Sequence, residues 1–87
     1  MVERLCDRVF EGCTSLKKVT LPQRLTAIGS LVFAGCRNLT LISVPGNVTI
    51  IGEGAFQDVG AKFIMQCAAG SAAENYARKN RLSYQLE

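Results

Sequence analysis

Apolar residues recur along this chain on a long period superimposed on short alternations. Phe10, Phe33 and Phe56 stand 23 residues apart, as do Leu5, Ile28 and Ile51, and Val2, Leu25 and Val48. Glu11-Gly12-Cys13 answers Ala34-Gly35-Cys36, and Leu16, Val19, Leu21 and Pro22 answer Leu39, Ile42, Val44 and Pro45. A fixed period of this length marks a stacked repeat, one supersecondary unit per period. Inside a unit, Val19 and Leu21 are two residues apart, so they face one way while Lys18 and Thr20 face the other, as in a strand. Pro22 ends that strand because it has no amide to donate. Leu25 and Ile28 supply a second inward pair on the return path, and Gly29 is expected to permit the turn that follows. One unit leaves half of each apolar ladder uncovered, so about three must stack.

The third unit matches through Ile51-Gly52-Glu53-Gly54-Ala55-Phe56 and then loosens, with Asp58, Val59 and Lys62 in the places of glycine, cysteine and leucine. Phe63, Met65 and Cys67 still alternate and predict a strand. Ser71 with Glu74 three residues later forms a capping box, which predicts a helix from Ala72 to about Lys79 stopped by Asn80. Ala72, Ala73, Tyr76 and Ala77 are its apolar face, and Arg78 and Lys79 suit the negative end of its dipole. Leu82, Tyr84 and Leu86 then alternate with polar residues as a short final strand. Residues 1–69 are thus expected to form a solenoid of three 23-residue units, N-terminally incomplete because Val2 enters in mid-unit. Residues 70–87 are expected to cap it.

With 87 residues there is room for one domain, and 48% hydrophobic against 20% charged residues is too apolar for a disordered chain. No run approaches the ~18 apolar residues of a membrane span, so no membrane insertion is expected. The net charge of +3 is spread from Arg4 to Arg81, which does not argue for nucleic acid. Residues 1–10 include Glu3 and Asp7 and do not read as a secretory signal, so the compartment is not readable from this chain.

The chain has no histidine, which removes the commonest acid-base group and the imidazole metal sites together. The four cysteines, at 6, 13, 36 and 67, have no close-pair zinc spacing. Glu3, Glu11, Glu53 and Glu74 fall in different turns, and Gly52-x-Gly54 belongs to the repeat rather than to a phosphate loop. No catalytic, metal or cofactor residue is expected, and the chain does not read as an enzyme. Stacked strands ~4.8 Å apart would bring Cys13 and Cys36 toward disulfide range, but their shared inward slot, filled by Val59 in the third unit, favours packing. All four cysteines are expected to be reduced and mostly buried.

The outward strand positions are Lys18 and Thr20, Leu41 and Ser43, Ile64 and Gln66, with Leu41 beside Ile64 as an apolar patch; these six are the candidate partner-binding face. Lys17 and Lys18 also guard the first strand against edge pairing. That strand has no upstream neighbour, so a homodimer through the N-terminal open end is a further expectation, strand 16–21 lying antiparallel to its mate against the opposition of the lysines.

The pattern L-x-x-[VI]-x-[LV]-P-x-x-[LV]-x-x-I-G-x-x-x-F-x-G-C resembles the leucine-rich repeat, and within it the BspA-like subfamily. Pro22 and Pro45 after the strand, Ile28-Gly29 and Ile51-Gly52, and Phe33-Ala34-Gly35-Cys36 carry the likeness over residues 2 to about 67. The segment Gly70-Ser71-Ala72-Ala73-Glu74-Asn75-Tyr76-Ala77 resembles the ending common in such proteins. Only Asn47 can serve the asparagine ladder of generic leucine-rich repeats, and Cys6 replaces the glycine of Gly29 and Gly52. The resemblance implies an α/β repeat: a short right-handed coil with a small parallel β-sheet on its concave side and a C-terminal helix-strand cap. It also implies a non-catalytic protein-binding or adhesion module of a cell-surface or secreted protein. The alternative is a purely structural C-terminal fragment of a longer solenoid whose binding surface lies upstream.

Overall fold

A computed structural model describes residues 3–86. Its elements are β1 (Glu3–Leu5), β2 (Lys18–Thr20), β3 (Leu25–Ile28), β4 (Leu41–Ser43), β5 (Ile50–Ile51), β6 (Ile64–Cys67), α1 (Ala72–Lys79) and β7 (Tyr84–Leu86). The strands form two parallel sheets, ordered β1-β3-β5 and β2-β4-β6-β7. From β1 to β6 alternate strands enter alternate sheets, so the chain winds as a solenoid, and β7 then joins the sheet of β6. In the second sheet Lys18, Leu41 and Ile64 are register partners, each 23 residues from the next.

The sheet of β1, β3 and β5 is an addition to the sequence reading. Leu25 and Ile28 both point inward although they are three residues apart, a spacing no regular strand gives its inner face. A register shift between Glu3 and Arg4, where β1 meets β3, accommodates the extra residue, as a bulge does.

The core is the set of repeat columns. Phe33 and Phe56 are buried, and Phe10 stacks on Phe33 at 5.6 Å and Phe33 on Phe56 at 5.3 Å between ring centroids. Phe63 and Tyr76 finish the ladder, at 5.5 and 5.8 Å from Phe56. Between the ladders, backbone amides of one coil donate to carbonyls of the next: Arg8 to Ser30, Phe10 to Val32 and Gly12 to Ala34, then Leu31 to Glu53, Phe33 to Ala55 and Gly35 to Gln57. In the third coil the Phe56 amide donates instead to the Tyr76 hydroxyl at 3.4 Å, so a side chain of α1 takes the place of a further coil's carbonyl. Burial there pushes the Tyr76 hydroxyl up from its ordinary value.

Polar side chains tie the coils as well. Thr26 and Thr40 hydroxyls donate to the Glu3 and Lys17 carbonyls at 3.0 Å, and the Asn47 amide donates to the Gln23 carbonyl at 2.7 Å. Asn38 does the same to Thr14, also at 2.7 Å. The left-handed turn at Gly12 and Gly35 persists at Asp58, with φ +58°, a conformation Asp tolerates better than most residues.

The helix has the bounds the capping box predicts. Ser71 Oγ accepts the Glu74 amide at 3.2 Å, and the Glu74 carboxylate reaches one residue past the N-cap to accept the Gly70 amide at 2.7 Å. Asn80 ends it, its side-chain amide donating to the Tyr76 carbonyl. The helix packs on β5 and β6, and β7 lies parallel to β6 with Gln66 opposite Gln85. Leu86 shares the register of buried Cys67, yet it is exposed, β7 being the edge of the described sheet.

Two readings need correction. A turn does follow Gly29, but neither its φ nor that of Gly52 is positive; these positions are glycine because the preceding coil occupies the space a side chain would need. The cysteines, none of them in a disulfide, are not mostly buried: Cys36 and Cys67 are, Cys13 is partly so, and Cys6 is exposed. The Cys36 thiol donates to the Phe10 carbonyl at 3.2 Å, and burial pushes its pKa up. Cys6 and Cys13 belong to the first coil, whose upper side has no described neighbour. A thiol reagent is therefore expected to modify Cys6 rapidly, Cys13 more slowly, and Cys36 and Cys67 only after denaturation, when all four react. Fast loss of all four thiols in the native protein would contradict this order, and fewer than four in denaturant would reveal a modification.

Candidate functional site

The outer face of the β2-β4-β6-β7 sheet is assembled by strand alternation. Val19, Ile42 and Met65 form the inward column, Ile42 and Met65 being fully buried. The residues immediately before and after each of them are therefore aimed outward as two parallel rows. One row is Lys18, Leu41 and Ile64; the other is Thr20, Ser43 and Gln66. All six candidate residues thus share one face, Lys18 and Thr20 exposed and Leu41, Ser43, Ile64 and Gln66 partly buried.

The second row continues to Gln85 on β7, which is exposed and in register with Gln66. Sequence periodicity does not reveal Gln85, because it lies 19 residues after Gln66 and so falls off the 23-residue period. The face then reads as an apolar pair, Leu41 with Ile64, bordered on one side by a hydroxyl and amide row and at one end by the ammonium of Lys18. Adjacent strands ~4.8 Å apart match the spacing at which a bound segment's side chains and amides can engage successive rungs.

Among the described residues, no group of three His, Cys, Asp or Glu could hold a metal ion. Three carboxylates have local duties: Glu74 caps α1, Asp7 accepts the Ser30 amide at 2.9 Å, and Glu11 stands 3.8 Å from Arg8. A groove of about 390 Å³ lies between the third coil and α1, bordered by Glu53, Asp58, Tyr76 and Asn80. No helix among the described residues is long and apolar enough to cross a membrane.

The family model for the BspA type leucine-rich repeat region (6 copies) matches residues 1–69. The chain belongs to this family. No curated protein and no solved structure matches it. As a BspA-type leucine-rich repeat, the coil is a module of a kind that typically binds proteins or mediates adhesion and is generally non-enzymatic. The BspA-type match ends just before the Ser71 cap of α1.

Proposed function

We propose that this BspA-type repeat is a non-catalytic protein-binding module that engages its partner through the outer face of the β2-β4-β6-β7 sheet. The observation that supports this most is the in-register pairing of Leu41 with Ile64 beside the Thr20, Ser43, Gln66 and Gln85 row. An apolar strip flanked by hydrogen-bonding groups suits an extended or loop segment of a protein carrying one or two apolar side chains between polar backbone and side-chain groups. Lys18 at the end of the strip favours a carboxylate there. Residues 70–87 act in this reading as a cap that keeps the last coil, and so the face, in place. Location at the cell surface or outside the cell accords with the family.

The test is competitive panning of a displayed peptide library against the wild-type chain and the double variant Leu41→Glu, Ile64→Glu. Both side chains point away from the core, so the variant is expected to keep its circular dichroism and melting temperature. Peptides enriched on the wild type should carry adjacent apolar residues and lose at least tenfold in affinity for the variant. Equal binding to both proteins would move the site off this face. Absence of any enriched sequence would favour the purely structural reading.

A further inference from the structure

The backbone ladder that joins the coils changes where α1 takes the place of a coil. From the second coil to the third, the alternate amides of Leu31, Phe33 and Gly35 donate to the carbonyls of Glu53, Ala55 and Gln57. The third coil keeps the backbone shape that aims such donors: Gly54 and Asp58 have φ of +68° and +58°, where Leu31 and Gly35 have +58° and +76°. Its three donors are therefore Gly54, Phe56 and Asp58. α1 takes only the middle one, through the Tyr76 hydroxyl. Among the described residues nothing accepts the Gly54 and Asp58 amides, and nothing accepts the proton of the Tyr76 hydroxyl.

This gap is internal to the stack. The third coil borders it on one side, α1 and Leu82 border it on the other, and the chain then runs on into β7 beside β6. The space left between the two layers is the groove of about 390 Å³, lined by both Gly54 and Asp58. A recess of about 380 Å³ shares Glu53, Gly54, Tyr76 and Asn80 with it and extends to Lys79. Volumes of ~300–1,000 Å³ are those of ligand sites.

Donors and charges together restrict the occupant. Two amides four residues apart with a hydroxyl proton between them match a peptide segment that turns alternate carbonyls one way, as residues 53–57 do toward the coil above. A small anion would suit the amides, but it would also meet the carboxylates of Glu53 and Asp58 at the same groove. Among the described residues, the carboxylates with no hydrogen-bond or ion-pair partner are those of Glu3, Glu53 and Asp58. Two of these three unpaired acids thus border one groove, in a chain whose net charge is +3. No residue lining the larger groove is basic. Its complement is a peptide that carries a cation.

We infer that the groove between the third coil and α1 is a peptide-docking site for a basic segment of a partner protein. Carbonyls of the segment accept from the Gly54 amide, the Tyr76 hydroxyl and the Asp58 amide, its lysine or arginine meets Glu53 or Asp58, and Val59 and Leu82 add apolar contact. The site is separate from the outer sheet face and does not depend on it.

Amide exchange and peptide selection test this. In the free chain the Gly54 and Asp58 amides should exchange fast and those of Leu31 and Phe33 slowly. A displayed library of short peptides is panned on the wild-type chain and cleared of clones that also bind the variant Glu53→Gln, Asp58→Asn. Both side chains are exposed and asparagine tolerates the left-handed backbone at 58, so the variant is expected to fold. Surviving sequences should carry lysine or arginine. A synthetic survivor should shift and protect the Gly54 and Asp58 amides, bind the variant about tenfold more weakly, and bind Leu41→Glu, Ile64→Glu as well as the wild type. Protected Gly54 and Asp58 amides in the free chain, no surviving clone, survivors without a basic residue, or shifts confined to the outer sheet face would each overturn the inference. So would shifts at Gly54 and Asp58 on concentrating the chain alone, which would make a second copy the occupant.

Discussion

Removing residues 70–87 is expected to leave a chain that aggregates and has lost its cooperative melting transition. The segment supplies Ala73 and Ala77, both fully buried, and α1 packs on β5 and β6 while β7 completes the β6 edge. Phe56, Phe63, Met65 and Cys67 are sealed at 3% exposure or less, and Tyr76 lies edge-on to the Phe56 ring while its hydroxyl takes the Phe56 amide. The first coil shows what an uncovered layer looks like, with Val9 half exposed and the inward residues around it opened. Giving the last coil the same exposure at about 25 cal/mol per Å² over a few hundred Å² costs several kcal/mol, comparable with the whole stability of a small domain. An unpaired β6 edge beside that apolar surface adds a template for intermolecular pairing. Size-exclusion chromatography and thermal circular dichroism read both effects. A truncated chain that stayed monomeric with an unchanged melting temperature would show that the segment does not hold the last coil.

The same residues explain why most of the architecture was legible beforehand. A period that places Phe10, Phe33 and Phe56 in one column can be satisfied only by stacking, and strand alternation then assigns Leu41 and Ile64 to the outer face. Capping chemistry is local, so Ser71, Glu74 and Asn80 marked the ends of α1 without any knowledge of packing. What escaped depends on the neighbour rather than on the residue. Cys6 is exposed and Cys13 only partly buried through their position in the first coil, not through their own chemistry. Gln85 joins the candidate face across a β6–β7 register that breaks the period. Asn38 reaches the Thr14 carbonyl from a slot with no asparagine in the other units, so repetition gave no signal for it. The β1-β3-β5 sheet was hidden because Leu25 and Ile28 are three residues apart, a spacing no regular strand gives its inner face, and only the shift at Glu3 and Arg4 reconciles them with pairing.

The substitution expected to damage the stack most at the least chemical change is Gly52→Ala. Its φ is not in the left-handed region, so alanine is locally allowed, and in isolation it would stabilise by about 0.4–1 kcal/mol through the unfolded chain. The added methyl, however, would stand 2.5 and 2.7 Å from the carbonyl carbon and oxygen of Gly29 and closer still to the Ser30 amide. All of these are backbone atoms of the coil above. They cannot swing aside as a side-chain tip can, so relief requires the third coil to draw away from the second along the line where Gly52 donates to the Ile28 carbonyl at 2.7 Å. Overpacking ordinarily costs ~1–3 kcal/mol; here it also strains inter-coil hydrogen bonds, so a loss of about 3 kcal/mol or more is expected. For a domain of this size that lowers the melting temperature by more than about 10 °C. Gly29→Ala should cost less, because part of its obstruction is the movable Asp7 carboxylate. Cys6→Ala, in the same slot with no described coil above it, should change stability by no more than about 0.5 kcal/mol. Thermal melts of the three variants should therefore rank Gly52→Ala below Gly29→Ala, and Gly29→Ala below Cys6→Ala. If Gly52→Ala melted with the wild type, the glycines would owe their place to something other than the closeness of the coils.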